Sequence, residues 1–428
     1  MRDDRRAAAL TARAAKDHDT AVSHWRTLLD RAPDDWALAL ELKRDLKAGW
    51  HYPDSDPRFR RAARRLPDAE WLAHYSALYA FHGSDLDTID TRARQLLAKH
   101  PGEHRLHAII GDAARQRRDW TTAIQAFEAA KEIDPTNPEY PTKAAAARLY
   151  ARLAETPWHN AEPNAAQTYS AQTYGVWVVN LDRNTERMVE IERQLAGTPV
   201  PITRVPAVEG KRLPGAAVQR LTGDPRAPRG TLGCFLSHLW LWETFLAGPD
   251  DHALVLEDDA IPLLNLPPTL AGLGLPATFD LCWVNDRMEP RPTEPQNNPT
   301  TATGFTTTPM PDAMAAYHPD DNAAGTDGYI ISRQGAKTLL QWANEDGMAD
   351  DIDWRLVAWS LGPADIARLA TPSVARDNMA RLQPSIRRKE RLDAHVLHPA
   401  LIRTVGVSSD REDDNRLTEK IVTPGPVP

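Results

Sequence analysis

Residues 257–259 read Glu-Asp-Asp, directly after the apolar run Ala253-Leu254-Val255-Leu256. Such a run reads as a short buried strand, and the acids stand where it reaches the rim of a sheet. Three adjacent carboxylates repel one another, so folding alone gives little reason to place them there. A divalent cation gives one: magnesium and manganese prefer hard carboxylate oxygens, and such an ion can bridge a carboxylate to a substrate phosphate. If the strand continues, Glu257 and Asp259 point one way and Asp258 the other. A solvated acidic turn after a core strand is the other reading, and this stretch alone leaves both open.

The elements that would position these acids begin at Tyr174. Val176–Leu181 is β-branched and aromatic, a buried strand, and Glu186–Leu195 follows as a helix with Met188, Ile191 and Leu195 on one face. Thr203–Val208 reads as a second strand. Gly233 introduces an apolar helix, Cys234–Leu246. Phe279–Val284 and Asp327–Ser332 are further strands, and Gln334–Ala343 is a helix. Alternation of this kind indicates an α/β unit with a largely parallel sheet and its site at the carboxyl ends of the strands. By that rule Asp182 and Arg183, Glu257–Asp259, and Asn285 with Asp286 share one edge.

Four segments in order resemble glycosyltransferase family 25, the group of lipopolysaccharide-type sugar transferases and collagen galactosyltransferases. They are Val178-Val179-Asn180-Leu181-Asp182-Arg183, Gly230-Thr231-Leu232-Gly233-Cys234-Phe235-Leu236-Ser237-His238, Leu254–Ala260 and Gly325–Ala336. The one departure is Thr231, where the family often carries Glu. The resemblance implies a GT-A type fold, a nucleoside-diphosphate sugar donor and manganese, with magnesium as the alternative. It implies a metal held by Glu257 and Asp259. Asn180, Asp182, Arg183, Gly233, Ser237, His238 and Asp258 would lie around the donor.

Inversion, also implied by the resemblance, needs a base for the acceptor hydroxyl. Asp353 is the first choice and Asp351 the second, in the segment Met348–Arg355, although acids at a helix start also suit the dipole. From the residues alone, His238 reads as a satisfied core histidine; the resemblance turns it toward the donor. His398 could complete the metal shell, and Arg387-Arg388-Lys389 could meet phosphates, though each also fits a structural or solvated role. The Pro- and Thr-rich stretch between Arg287 and Gly325 reads as an acceptor-side loop.

The first half follows another rule. Pro33, Pro67, Pro101 and Pro135 stand 34 residues apart, the period of the tetratricopeptide repeat. Gly111, Ala123, Phe127 and Ala130 fit the small and aromatic positions of the last copy. Ala9, Ala21 and Trp25 fit the first, and Lys43 and Ser55 make the second degenerate. Trp50, His51 and Tyr52 could line a peptide-binding face, and Thr142–Glu155 would cap the array. The expected organisation is therefore an all-α tetratricopeptide-like solenoid over 1–156, a linker over 157–172, a transferase domain over 173–417 and a flexible tail over 418–428.

The 428 residues, with 42% hydrophobic and 26% charged, suffice for two or three domains. A formal net charge of -8 argues against a nucleic-acid partner. The two cysteines sit in apolar runs and read as reduced core residues. No segment reads as a signal peptide or membrane span, so the expected location is cytoplasmic. Two functions fit. One is a metal-dependent hexosyltransferase, galactose from its uridine diphosphate form being the leading donor, acting on a glycan or protein that the repeats recruit. The other is a tetratricopeptide adaptor whose transferase domain has lost activity.

Overall fold

The computed structural model describes residues 2–15, 17–48, 56–76, 85–155, 174–289, 304–317 and 324–404. They fall into two compact units, divided between Ala147 and Arg148. The expected linker and tail, and Trp50, His51, Tyr52 and Ser55, lie outside the described residues.

The first unit is helical: α1 (Arg2–Ala14), α2 (His18–Arg31), α3 (Trp36–Ala48), α4 (Pro57–Arg64), α5 (Asp68–Ser76), α6 (Leu86–Lys99), α7 (His104–Gln116), α8 (Trp120–Ile133) and α9 (Glu139–Glu155), which runs across the boundary. Pro33, Pro67, Pro101 and Pro135 fall just after α2, α4, α6 and α8, where the missing N–H and fixed φ suit a turn. Asp17, Asp56, Asp85 and Asp119 cap the same four helices, each accepting from a backbone N–H of the first turn. Trp25, Phe59, Ala93 and Phe127 recur at the proline period and are all fully buried. Gly111 is small because Phe127 fills its place: a Cβ there would stand 2.6 Å from the ring.

The second unit is α/β. Its strands are β1 (Tyr174–Asn180), β2 (Ile202–Pro206), β3 (His252–Glu257), β4 (Ala260–Pro262), β5 (Leu281–Trp283), β6 (Thr306–Pro309), β7 (Gly328–Ser332), β8 (Ala394–His398) and β9 (Ile402–Thr404). Seven form one sheet in the order β2-β1-β3-β7-β5-β8-β6, and β4 pairs with β9. The helices named below are α10 (Thr185–Gln194), α11 (Gly215–Thr222), α12 (Arg229–Ala247), α13 (Met310–Ala315), α14 (Arg333–Asp346) and α15 (Ile352–Ser360). The core gathers β-strand residues such as Val255, Trp283 and Ile331 with Phe235 and Trp242 of α12 and Trp359 of α15.

This sheet is mixed, not largely parallel. β1 runs parallel to β2 and β3, but β7 runs antiparallel to both β3 and β5, and β6 to β8. Parallel neighbours need a crossover helix, and the long connection from β5 to β7 is free of that requirement. The stretch between Arg287 and Gly325 is likewise not all loop, since β6 and α13 lie in it. The glycine at 233 does not start its helix: α12 begins four residues earlier, at Arg229. No helix among the described residues is long and apolar enough to cross a membrane.

Candidate active site

Strand register assembles the site. Val179 of β1 pairs with Glu257 at the end of β3, so the carboxyl ends of both strands meet one edge. β7 runs the opposite way, with Gly328 beside Leu256. The residues before β7, Thr326 and Asp327, therefore reach that same edge. Trp283 of β5 pairs with Tyr329, which brings Asn285 and Asp286 there as well. Reversal of β7 thus adds two polar residues that a parallel strand would have sent to the far side.

At the β1 end, Asn180 is a junction. Its amide donates to Asp258 Oδ2 at 2.7 Å, and its Oδ1 accepts from Arg204 Nε at 2.8 Å. Arg187 of α10 approaches Asp258 Oδ1 at 3.3 Å. Asp182 is exposed and pairs with Arg204 at 2.5 Å, and Arg183 pairs with Glu209. These expected donor residues form a charged rim in which the protein itself holds Asp258.

Gly233 and Ser237 serve the scaffold. The Ser237 hydroxyl donates to the Gly233 carbonyl at 2.7 Å and accepts from Val208 N–H at 2.8 Å. A Cβ at 233 would stand 2.7 Å from the Val208 carbonyl oxygen. The pair therefore fastens the loop after β2 onto α12, and their backbone closeness is to that loop.

His238 is fully buried one turn beyond Cys234 on α12. Its Nδ1 lies 2.8 Å from the Tyr329 hydroxyl, which also accepts from Trp242 Nε1 at 2.9 Å. Burial keeps the Tyr329 phenol protonated, well above its ordinary range. With Tyr329 donating to Nδ1, the imidazole proton sits on Nε2. That atom makes no hydrogen bond and faces Glu257 Oε1 at 3.7 Å.

Glu257 and Asp353 meet on a residue absent from the expected site. The Thr326 hydroxyl lies 2.7 Å from Glu257 Oε1 and 2.6 Å from Asp353 Oδ1, and Thr326 N–H donates to the same Oδ1 at 3.0 Å. One hydroxyl proton cannot bond fully to two carboxylates, so their repulsion is only partly relieved. Asp353 is thereby oriented at the edge from α15, 6% exposed. Asp351 has a different place: it caps α15, accepting from Asp353 N–H at 2.9 Å.

The edge is strongly acidic. Asp259 Oδ1 is buried and accepts no hydrogen bond from any described residue. Burial, and then the Glu257 charge, push Asp259 up to about 6. Asp258 is raised too, mainly by burial, against the help of Asn180 and Arg187. Asp327 goes up to about 8 through burial and the charges of Glu257, Asp259 and Asp286, although Arg287 opposes. Asn285 Nδ2 holds Asp327 Oδ1 at 3.0 Å. Hard oxygen donors, mutual repulsion and an orphaned buried carboxylate oxygen together fit a divalent cation at Glu257 and Asp259.

His398 ends β8, which runs parallel to β5 with Val396 beside Trp283, and its Nδ1 lies 3.3 Å from Glu289 Oε1. Arg388 is a structural cation: it pairs with Glu345 and Asp346 and stacks on Trp342. Among the described residues, one compact group has ligand-type atoms all within 4.8 Å of one another: Cys234, His238 and Glu257. Thr326, Asp327 and Cys234 have no role legible in the sequence, because local pattern does not show what faces Glu257.

Comparison with known proteins concentrates on this half of the chain. Residues 174–271 match the family model "Glycosyltransferase family 25 (LPS biosynthesis protein)". A "Glycosyltransferase 25 family member" of Anopheles gambiae is 33% identical over 95 residues, 20% of this chain and 16% of that protein. One of Drosophila pseudoobscura pseudoobscura is 27% identical over 186 residues, 39% of this chain and 26% of the relative. "Procollagen galactosyltransferase 2" of Homo sapiens is 32% identical over 95 residues, 20% of this chain and 15% of that protein. The matched segments thus span about a sixth to a quarter of these relatives.

Proposed function

We propose that the α/β unit is a glycosyltransferase of the family 25 type. It moves a hexose from a nucleoside-diphosphate sugar to a hydroxyl of a glycan or protein, with inversion. Galactose from its uridine diphosphate form is the leading donor, given the named activity of the human relative. The observation that carries the reading is the Thr326 hydroxyl shared by Glu257 and Asp353 at one sheet edge, where the end of β3 lies within the matched segment.

Glu257 and Asp259 would hold manganese or magnesium, which when bound supplies positive charge against the departing diphosphate. Asp353 is the base in this reading. Its Oδ1 is anchored by Thr326, which fixes the direction from which the carboxylate meets an acceptor hydroxyl. Asp351 supports it by capping α15. Asn180 and Arg187 keep Asp258 in place beside the donor, with Asp182 and Arg183 on the rim. The helical unit, read as a tetratricopeptide-type array, would recruit the acceptor or a partner protein.

A donor panel tests this reading. Purified full-length protein is incubated with uridine, guanosine and cytidine diphosphate sugars, with manganese or with chelator. Metal-dependent release of a nucleoside diphosphate from at least one donor supports it. No release and no donor binding across the panel would leave a non-catalytic adaptor.

A further inference from the structure

The compact Cys234–His238–Glu257 group has a different chemistry from the oxygen donors beside it. Cys234 and His238 are four residues apart on α12, so they share one face, and the end of β3 presents Glu257 to that face. One thiol, one imidazole and one carboxylate within 4.8 Å of each other form a three-donor set of mixed softness. That combination suits zinc and similar transition metals better than magnesium, which takes oxygen and water. The separation of His238 Nε2 and Glu257 Oε1, 3.7 Å, is too long for a hydrogen bond. A tetrahedron whose centre lies about 2 Å from nitrogen and oxygen has an edge of about 3.3 Å, so the two atoms close by a few tenths of an ångström around an ion.

A second observation points the same way. His238 is fully buried, yet its Nε2 has no hydrogen-bond partner. The other ring nitrogen is held by Tyr329, itself fixed by Trp242. Histidine ligands are commonly oriented in this way, through the nitrogen that does not touch the metal. Glu257 and Cys234 are only partly buried, which gives an ion a way in.

We infer that Cys234, His238 and Glu257 form a binding site for a borderline-soft divalent metal, with zinc as its natural probe. Binding requires the Cys234 thiol to lose its proton to solvent and the His238 proton to pass from Nε2 to Nδ1, the Tyr329 oxygen turning from donor to acceptor. Tyr329 is then a positioning residue. The site stands apart from the transferase reading, because it needs neither donor nor turnover. It shares Glu257 with the oxygen set, so an ion seated here withdraws that carboxylate from its neighbour Asp259.

The test uses the full chain stripped of metal by chelator. Zinc affinity is measured by competition with a chromophoric chelator, and cobalt(II) is added as a spectroscopic probe. The expected result is one zinc per chain, and a cobalt spectrum with a thiolate-to-metal charge-transfer band. The chain has only two cysteines, and Cys282 is fully buried in β5, so C282S keeps the band while C234S loses it. Tyr329→Phe weakens zinc by about tenfold, within the usual range for lost outer-shell support. A cobalt spectrum without the band, or a band that survives C234S in a folded variant, would overturn the assignment. So would zinc binding unchanged by C234S. Circular dichroism of each variant separates lost ligands from lost fold.

Discussion

Buried carboxylates are treated in opposite ways in the two units. In the helical unit Asp45 is fully buried, and it accepts from Arg13, His18 and Trp25 Nε1, the last at 2.6 Å. Burial alone would raise its pKa, but these partners hold it below the ordinary carboxylate range. At the edge of the α/β sheet the acids outnumber their cations, and Asp258, Asp259 and Asp327 are all pushed up. One unit uses buried charge to fix helix packing. The other gathers carboxylates whose charged form is disfavoured where they stand, which is the condition under which an external cation adds stability.

That contrast can be broken by removing a carboxylate from each side. The largest effect is on turnover: Glu257→Gln or Asp259→Ala lowers metal-dependent nucleotide release by several kcal/mol of barrier, about a thousandfold. Chelator does the same to the unmodified chain, and added manganese restores it. Next comes stability. Asp45→Ala leaves Arg13 without its buried partner and lowers the unfolding free energy by about 3 kcal/mol, read from denaturant titration of the full chain. Asp259→Ala in metal-free protein leaves the melting temperature unchanged or raises it, because burial and the Glu257 charge disfavour that carboxylate and its Oδ1 makes no hydrogen bond. Equal losses from both substitutions would erase the distinction.

Smaller effects sharpen it. Thr326→Val removes the hydroxyl between Glu257 and Asp353, and about 1.5 kcal/mol, or tenfold, is expected in kcat with little change in fold. His74 in α5 is buried among Trp36, Phe59 and Tyr75, and burial followed by the Lys43 charge lowers it to about 3. The unfolded chain takes up that proton first, near 6.5. The His74 contribution is therefore complete above about 6.5 and is lost as pH falls toward 3. Melting temperature against pH should fall less steeply through that window in His74→Phe than in the unmodified chain.

The helix pairs and the strands were legible because both are written in local pattern. The prolines mark the turns after α2, α4, α6 and α8, a β-branched run marks β1 and an apolar run marks β3. The direction of β7 was not, since nothing in Gly328–Ser332 encodes which way its neighbours run. With that direction hidden, Thr326 and Asp327 could not be placed opposite Glu257. Asp353 ranks ahead of Asp351 in sequence by resemblance alone, and the cap geometry is what separates a helix-starting acid from one oriented by Thr326. The partner of His398 was hidden too: the residue ends β8, and Glu289, which it meets, is over a hundred residues earlier in the chain.

The central claim is that the acids ending β3 form a cation-dependent transfer centre. Its most direct test is nucleoside diphosphate release from the donor selected by the panel, comparing unmodified protein with Asp259→Ala at matched manganese and matched fold by circular dichroism. The account predicts manganese-dependent release that Asp259→Ala abolishes. Release at the same rate in Asp259→Ala, or release indifferent to manganese, would contradict it.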